Sequence, residues 1–351
     1  MNRFRALKYG MAYSLFLTAI PALLLKGPFT WLPFAYAFVV IPSLELIFRP
    51  DPRNLDKAEE EVVRNDRLYD FMIYATIPLL WIALIAFCWT FQHAELAGWE
   101  RAGLIFSIGT LCGAYGINVG HELGHRKKPF ERTLAKISLM GSLYMHFFIE
   151  HNRGHHKRVS THEDPASARR GEMLYAFWFR SIIFSYLSAW NLERERLAKK
   201  QSSFWSWDNE MIRFHVIQLG LLAVIAGAIG PLAMAGFIGT AFVGMLLLET
   251  VNYIEHYGLT RQELKPGKYE RVMPEHSWNS NHIMGRLLLF ELSRHSDHHH
   301  LASRQYQVLR SIDHAPQMPT GYPGMMVMAT VPPIWFRVMH RNIEKYQQVD
   351  G

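Results

Sequence analysis

Nine of the eighteen histidines in this 351-residue chain occur in four short groups, which read H-E-L-G-H, H-N-R-G-H-H, N-Y-I-E-H-Y-G and R-H-S-D-H-H. Imidazole is the commonest metal-binding side chain, and i, i+3 and i, i+4 spacings place several imidazoles on one face of a helix. Nine histidines exceed the capacity of one octahedral ion, so the pattern predicts two metal ions. The nine predicted ligands are His121, His125, His151, His155, His156, His256, His295, His298 and His299.

Two of these groups allow more than one interpretation. H-E-L-G-H matches the zinc protease pattern H-E-x-x-H, in which the glutamate is the general base. Such a zinc site needs only one further ligand and leaves the other histidines unexplained, so a membrane zinc protease is the less favoured alternative. His300 extends the last group to three consecutive histidines, so that His298, His299 and His300 could exchange roles.

The second group, H-N-R-G-H-H, is expected to continue a helix. In α-helical geometry His151 and His155 share a face, whereas His156 points about 100° away. The adjacent histidines at its end therefore predict ligands for two different ions, or one ion and a bridging arrangement.

Acidic residues stand directly beside the predicted ligands. A metal-binding histidine usually donates its second N–H to a carboxylate or a carbonyl, which fixes the orientation of the ring. A set of neutral imidazoles with few carboxylates favours a mid-to-late first-row transition metal over Mg²⁺ or Ca²⁺. The carboxylates expected to orient the imidazoles are Glu122, Glu150, Glu255 and Asp297.

The apolar residues, which make up half of the chain, are concentrated in long runs. Six runs approach the about 20 residues needed to cross a bilayer core. The sequence therefore predicts an all-α, polytopic membrane protein, a single domain over residues 1–351. The predicted spans are 9–26, 28–48, 71–91, 102–120, 212–230 and 232–251.

Lysine and arginine placement predicts the orientation of these spans. Both termini and the segments 121–211 and 252–351 carry the basic residues, so they are expected in the cytoplasm, where they would form a histidine-rich helical cap. Segments 133–149, 173–190 and 322–337 are also apolar, but a crossing at 133–149 would separate the first two histidine groups. That segment is therefore predicted not to cross the membrane. The same is predicted for 173–190, which has Arg180 at its centre and aromatic residues throughout, and for 322–337, which Pro323, Pro332 and Pro333 interrupt.

Electrons for redox chemistry must come from another protein. Cys88 and Cys112 lie inside predicted spans and form no C-x-x-C motif, and no dinucleotide-binding glycine pattern follows a strand. Nothing in the pattern indicates nucleic-acid binding, and the partners expected from it are the lipid bilayer and an electron carrier.

The histidine groups, in the forms N-V-G-H-E-L-G-H-R, F-F-I-E-H-N-R-G-H-H, N-Y-I-E-H-Y-G-L and L-S-R-H-S-D-H-H, resemble those of the integral-membrane di-iron alkane 1-monooxygenases of bacteria. W-S-W-D-N-E, S-W-N-S-N-H and P-T-G-Y-P-G also resemble that family, which belongs to the histidine-rich membrane desaturases and hydroxylases. The resemblance covers nearly the whole chain. Sibling enzymes act on aromatic methyl groups or fatty acids, as hydroxylases or desaturases, and are the alternative.

The resemblance implies O₂-dependent hydroxylation of the terminal carbon of medium- or long-chain n-alkanes to 1-alkanols. It implies two iron ions on the nine histidines, with no catalytic residue beyond these ligands. It also implies electrons from rubredoxin, kept reduced by a rubredoxin reductase, and a multi-pass location in the bacterial inner membrane with the metal site on the cytoplasmic side.

Two further sets of residues follow from that expected activity. An alkane has no polar group, so its selection requires an apolar tunnel, whose wall is expected to include Ala37 and Phe38 of the second span. Basic residues flank the histidine groups and would bind an acidic electron carrier. The docking candidates are Arg126, Lys127, Lys128, Lys157 and Arg158.

Overall fold

The computed structural model describes residues 5–349 and is helical apart from one antiparallel hairpin, β1 (Glu263–Lys265) and β2 (Lys268–Tyr269). The helices follow in chain order. They are α1 Arg5–Leu24, α2 Gly27–Ile47, α3 Lys57–Asn65, α4 Arg67–His93, α5 Gly98–Gly124, α6 Pro129–Met140, α7 147–158, α8 Leu174–Lys199, α9 Glu210–Ala228, α10 Pro231–His256, α11 Ile283–Leu288, α12 His295–His300, α13 Tyr322–Ala329 and α14 Pro332–Val349.

Six of these helices, α1, α2, α4, α5, α9 and α10, are long and apolar enough to cross a membrane. The all-α fold with six candidate spans is therefore confirmed, and it indicates a multi-pass membrane protein. Helices α5 and α10 run beyond the predicted apolar runs, to Gly124 and His256. Their backbone hydrogen bonding continues through polar residues, so the first and third histidine groups lie at the ends of spanning helices.

The three ambiguous segments are not among the candidate spans of residues 5–349. The first is divided, because α6 ends at Met140 and turns follow. The second lies in α8, which exposes apolar side chains such as Phe179 and Ile183 in its first half. The third is broken between α13 and α14, where Pro332 and Pro333 begin a new helix.

The described chain divides into two compact units. Unit 1 contains the residues up to Val39 together with Arg67–Gly154 and Tyr186–Leu248. Unit 2 contains Val40–Asp66, His155–Ser185 and the residues from Glu249 onward. Four of the five boundaries fall within helices, and the expectation of a single domain stays a prediction.

In unit 1, α5 and α6 approach each other closely at glycines. A Cβ on Gly120 would lie 2.6 Å from Cγ of Leu139, and one on Gly116 would lie 2.6 Å from Oγ of Ser142. Small residues at i, i+4 spacing permit this kind of helix contact in membrane proteins. The close packing fixes the segment of α5 that ends in the first histidine group.

The middle of α5 contains a π-helical turn, Cys112–Ile117, whose carbonyl groups receive hydrogen bonds from α6 and from the turn that follows α6. Ser138 donates to the carbonyl of Tyr115 at 2.7 Å, and Ser142 donates to that of Cys112 at 3.1 Å. The two serine hydroxyls thus bind carbonyl groups where the regular α-helical hydrogen bonding of α5 is interrupted. In a low-dielectric environment every backbone polar group needs a hydrogen-bond partner.

In unit 2, long-range polar contacts hold the segments around α12. Arg294, directly before α12, donates to the carbonyls of Leu309 at 2.6 Å and Arg53 at 2.9 Å. Glu45 of α2 is buried and accepts a hydrogen bond from the backbone N–H of Gly285 at 2.8 Å. A Cβ on Gly321 would overlap the Glu45 carboxylate, so glycine is required there by the close approach.

Candidate metal centre

Unit 1 brings three predicted ligands, His121, His125 and His151, into one group that we call the trio. The ring centroids lie 5.0 Å apart for His121 and His125, 4.4 Å for His121 and His151, and 5.1 Å for His125 and His151. One ring nitrogen of each lies within 4.8 Å of those of the others. His151 also stacks on Phe147 at 4.7 Å. This spacing suits three ligands of one metal ion.

The trio owes its geometry to two helix ends. His121 lies in the last turn of α5, and His125 follows that helix, so the i, i+4 prediction for this group is confirmed in the fold. His151 begins a π-helical turn, His151–His155, inside α7. π-helical turns inside α-helices often mark functional sites.

That π-helical turn corrects the expected faces of the second histidine group. A π turn hydrogen-bonds i to i+5 instead of i to i+4, so His156 rather than His155 follows His151 on the same side of the helix. His155 accordingly belongs to a different ligand group. The expectation that His151 and His155 share a face was wrong because it assumed regular α-helical geometry.

Unit 2 contains a second group, the quartet, formed by His155, His256, His295 and His299. One ring nitrogen of each lies within 4.8 Å of those of the others, and all four side chains are buried. The Nε2 atoms of His256 and His295 are 3.3 Å apart. Sequence positions separated by as many as 144 residues thus meet in one cluster, which no local spacing specifies.

The quartet has the properties of a metal site. Both ring nitrogens of His299 are buried, and neither has a hydrogen-bond partner within residues 5–349. Burial and the surrounding histidines hold the pKa of His299 well below its usual value, so this ring is neutral, the form that binds metals. Four buried imidazoles facing each other are costly without a ligand. The residues therefore fit a transition-metal ion.

Asp164, which the sequence interpretation missed, holds one ring of the quartet. Its Oδ2 lies 2.9 Å from Nδ1 of His155 and accepts a hydrogen bond from the Ser167 hydroxyl at 2.6 Å. Burial opposes ionisation of Asp164, but the contacts with His155 and Ser167 keep its pKa below its usual value. An acidic residue nine positions from a ligand was the only sequence signal, and it is weak.

Glu255 and Asp297, both predicted to orient imidazoles, have different contacts. Oε2 of Glu255 lies 3.1 Å from Nε2 of His295, so this carboxylate directly contacts a quartet ring. Asp297 accepts a hydrogen bond from the backbone N–H of Arg310 at 2.9 Å and pairs with Arg304 at 3.2 Å. Asp297 therefore ties α12 to the segment that follows it.

The two carboxylates beside the trio are also engaged with other side chains. Glu122 pairs with Arg126 at 2.8 Å, and Glu150 accepts a hydrogen bond from the Ser188 hydroxyl at 2.7 Å. Arg153, within the H-N-R-G-H-H group, pairs with Glu193 at 3.1 Å and with Glu210 at 2.7 Å. These contacts anchor the segments that carry the trio.

The remaining predicted ligands, His156 and His298, face each other in unit 2 with ring centroids 5.0 Å apart. His300 belongs to neither the trio nor the quartet, which favours the original register of the last group. His276 pairs with Glu270 at 3.2 Å and is a neighbour of the quartet through its carbonyl, 3.4 Å from Nδ1 of His256.

The proposed docking residues differ in accessibility. Arg126 is buried and pairs with Glu122, with Asp70 at 3.2 Å and with Glu131 at 3.5 Å. The guanidinium is directed toward these three acidic neighbours and away from the surface. The prediction that Arg126 is a docking residue is therefore wrong, because a buried charge is not accessible to a partner. Lys127, Lys128 and Lys157 are exposed, and Arg158 is half-buried.

The proposed tunnel residues lie in a third π-helical segment, Tyr36–Val40 of α2. Ala37 is buried, whereas Phe38 is half-buried and lies 4.9 Å from Phe34 between ring centroids. These positions are compatible with a tunnel wall, and their role stays a prediction.

Several known proteins are similar to this chain in sequence. A family model described as Fatty acid desaturase matches residues 97–329. Alkane 1-monooxygenase 1 of Pseudomonas aeruginosa is 43% identical over 311 residues, which cover 88% of this chain and 81% of that protein. Alkane 1-monooxygenase of Pseudomonas putida is 42% identical over 311 residues, 89% of this chain and 77% of its own length.

The chain belongs to the alkane 1-monooxygenase family. A more distant relative, the xylene/toluene monooxygenase hydroxylase component XylM of Pseudomonas putida, is 29% identical over 240 residues, 68% of this chain and 63% of that protein. Membership of the alkane 1-monooxygenase family confirms the resemblance seen in the four histidine groups. It also disfavours the zinc protease interpretation of H-E-L-G-H.

Proposed function

We propose that this protein inserts one oxygen atom of O₂ into the terminal C–H bond of linear alkanes, giving 1-alkanols and water. The observation that carries the proposal is the buried histidine quartet beyond a spanning helix, in a chain of this family. The balanced reaction consumes an alkane, O₂, two electrons and two protons. A redox-active metal is required because no side chain activates O₂ by itself.

We assign the metals as two iron ions with the nine histidines as ligands. When bound, the irons supply the redox chemistry that activates O₂ and oxidises the C–H bond. Glu255 contacts Nε2 of His295, the nitrogen that also faces Nε2 of His256, so this carboxylate lies on the metal side of that ring. Asp164 contacts Nδ1 of His155, which orients the ring and leaves its Nε2 for the ion. The carbonyl of His276 and the hydroxyl of Ser277, each 3.4 Å from Nδ1 of His256, act on the third ring in the same way.

Substrate supply follows from the membrane setting. An alkane partitions into lipid at about 0.8 kcal/mol per CH₂, so the enzyme receives it from the bilayer and not from water. The proposed tunnel passes Ala37 and Phe38, where side-chain volume would set the accepted chain length. Buried surroundings of the histidines exclude water from the reacting carbon.

Electrons are proposed to come from rubredoxin, which is reduced in turn by its reductase and binds basic residues near the histidine groups. The candidate contacts are Lys127 and Lys128 in unit 1 and Lys157 and Arg158 in unit 2. An acidic carrier would bind there by charge complementarity. This arrangement requires the metal site and both termini to lie on the cytoplasmic side of the bacterial inner membrane, as the placement of basic residues predicts.

A second candidate function is oxidation of an aromatic methyl group. The observation that favours it is the relation to the hydroxylase component of a xylene/toluene monooxygenase. The alkane substrate is preferred because the relatives named alkane 1-monooxygenase are markedly more similar and are covered more completely.

The test is a reconstituted assay with the purified full chain in lipid nanodiscs, rubredoxin, its reductase and NADH. Linear alkanes of graded length, toluene and a fatty acid are offered separately, and products are analysed by gas chromatography. The proposal predicts 1-alkanols from alkanes. Benzylic alcohol without alkanol supports the second candidate, and an alkene or no oxygenated product overturns both.

Metal content is measured on the same preparation. About two irons per chain are expected, and zinc without iron would contradict the iron assignment. A variant with His299→Ala serves as the control, because its loss of a quartet nitrogen should lower iron content together with product formation.

A further inference from the structure

Directly after His256 of the quartet, unit 2 contains an aromatic cluster in which the rings of Tyr253, Tyr257 and Trp335 pack together and Trp278 is hydrogen-bonded to the backbone of Tyr257. All four side chains are at most 1% exposed. The rings of Tyr253 and Tyr257 lie 5.2 Å apart between centroids, and Trp335 lies 5.2 Å from Tyr253 and 5.3 Å from Tyr257. Tyrosine and tryptophan are the side chains most easily oxidised by one electron among those without sulfur.

The cluster is joined to the quartet through the chain. Tyr257 directly follows His256, and Trp278 donates a hydrogen bond to the carbonyl of Tyr257 at 2.9 Å. Ser277, next to Trp278, has its Oγ 3.4 Å from Nδ1 of His256. Adjacent Cα atoms are about 3.8 Å apart, so the Cα atom of Tyr257 lies at about that distance from the Cα atom of His256, a proposed iron ligand.

One phenol of the cluster has a base as its partner. The hydroxyl of Tyr257 lies 2.9 Å from Nε2 of His340 and accepts a hydrogen bond from the backbone N–H of Gly171 at 2.9 Å. The hydroxyl of Tyr253, which is equally buried, donates to the carbonyl of Glu172 at 2.7 Å. A carbonyl cannot take up a proton, whereas a neutral imidazole can.

His340 connects this phenol to the protein surface. It lies in α14, is half-exposed, and its ring stacks on Tyr257 at 6.0 Å and on Phe336 at 5.5 Å. Partial burial and the nearby Arg170 keep the pKa of His340 below its usual value, so the ring is neutral and ready to accept a proton. With Nδ1 protonated, Nε2 is the accepting atom.

We propose that Tyr257 and His340 form a redox-active pair that removes oxidising equivalents from the metal centre when no substrate is bound. The proposal rests on the proposed function, because only O₂ activation produces an oxidant strong enough for a phenol. A site that breaks alkane C–H bonds would otherwise oxidise its own histidine ligands whenever electrons and O₂ arrive without an alkane.

The electron and the proton leave Tyr257 by different routes. Tyr257 gives one electron to the O₂-derived oxidant, which is reduced by one electron, and the phenolic proton passes to Nε2 of His340. The neutral tyrosyl radical then takes one electron from a small-molecule thiolate in solution, which becomes a thiyl radical, and the proton returns from His340 to the phenol oxygen. Coupling the two transfers avoids a charged tyrosine radical cation in a buried site.

The experiment uses the iron-loaded full chain in nanodiscs, reduced by rubredoxin, exposed to O₂ without alkane and frozen rapidly for electron paramagnetic resonance. A tyrosyl radical is expected in the unaltered protein, and its signal should change shape in chains grown on ring-deuterated tyrosine. Tyr257→Phe should lose the signal. His340→Gln should lose most of it, because glutamine accepts a hydrogen bond but does not take up the proton.

Tyr253→Phe is the matched control, since it removes an equally buried phenol of the same cluster that has no base. It should keep the radical. Oxidation of His256 and His295, measured by mass spectrometry after turnover without alkane, should rise in Tyr257→Phe and His340→Gln but not in Tyr253→Phe. Iron content of each variant verifies folding, and His340→Gln carries the test if Tyr257→Phe does not fold.

The two proposals fail in different ways. Alkanol formation without any radical, or a radical that persists in Tyr257→Phe, overturns the redox pair and leaves the proposed function intact. Equal ligand oxidation in all variants also overturns it. A protein that binds iron but forms no oxygenated product overturns the proposed function, and the redox pair with it.

Discussion

The quartet of unit 2 and the trio of unit 1 use the same side chain but are held in different ways. In the quartet, His155 and His295 each contact a carboxylate oxygen, from Asp164 at 2.9 Å and from Glu255 at 3.1 Å. The trio is carried by the end of α5, which packs against α6 at glycines, and its flanking Glu122 pairs with Arg126.

This difference indicates two ways of orienting metal ligands in a membrane protein. A hydrogen bond from an imidazole to a carboxylate fixes the ring directly and increases its basicity. Close packing of two helices fixes the backbone from which the ring extends, as at Gly120 beside Leu139. We therefore expect metal binding by the quartet to depend on the charge of the carboxylates that contact it. Metal binding by the trio should depend on side-chain volume where α5 packs against α6.

The largest effect is expected from removing a quartet ligand. His256→Ala takes away one of four nitrogens that lie within 4.8 Å of one another. Loss of a hydrogen-bond partner of a metal ligand lowers metal affinity or activity by about 10–100-fold. Loss of the ligand itself should lower alkanol formation by more than that, and iron per chain should fall with it. Product analysis and metal analysis check this, and retained turnover would return His256 to a structural role.

The next effect tests the charge dependence of the quartet. Asp164→Asn should lower metal affinity or activity by about 10–100-fold, because it removes the charge that orients His155. Iron binding is measured by titration under anaerobic conditions. Asp313→Asn, an exposed carboxylate of the same unit, is the control and should behave like the unaltered protein.

Glu122→Gln is the matched change beside the trio. It weakens a buried pair in which Arg126 retains Asp70 and Glu131, so it should lower thermal stability more than iron affinity. A drop in iron binding as large as that of Asp164→Asn, with unchanged stability, would remove the proposed difference between the two groups.

A smaller effect is expected from volume at the trio. Gly120→Ala places a Cβ 2.6 Å from Cγ of Leu139, and such overpacking typically costs about 1–3 kcal/mol. Thermal unfolding in detergent and iron content should both decline. Gly220→Ala in α9 is the control because its Cβ would meet nothing within 4 Å, and equal behaviour of the two variants would contradict the packing argument.

The smallest effect concerns electron delivery. Two variants each remove one exposed positive charge: Lys157→Ala in unit 2 and Lys127→Ala in unit 1. One exposed ion pair with the carrier contributes about 0.2–1 kcal/mol to binding. The KM for rubredoxin should rise by up to about fivefold with kcat unchanged, more at low salt. Lys345→Ala, on α14, is the control, and no change in either test variant would place docking elsewhere.

Much of the fold was predictable because it depends on local pattern. Long apolar runs specify spanning helices through hydropathy alone, and the six candidates are confirmed with shifted ends. The ends shifted because a helix such as α5 continues through His121 on backbone hydrogen bonds, which apolar composition does not report. Segment 133–149 was likewise correctly separated from the spans.

The histidine types and spacings by themselves determined the chemistry of this protein and, through their motifs, its family. Only the tertiary structure decided how the ligands are grouped. A π-helical turn at His151–His155 sends His155 to the quartet, and α-helical periodicity cannot predict it. Asp164, the burial of Arg126 and the pairing of Tyr257 with His340 likewise depend on contacts between distant segments, which spacing along the chain does not encode.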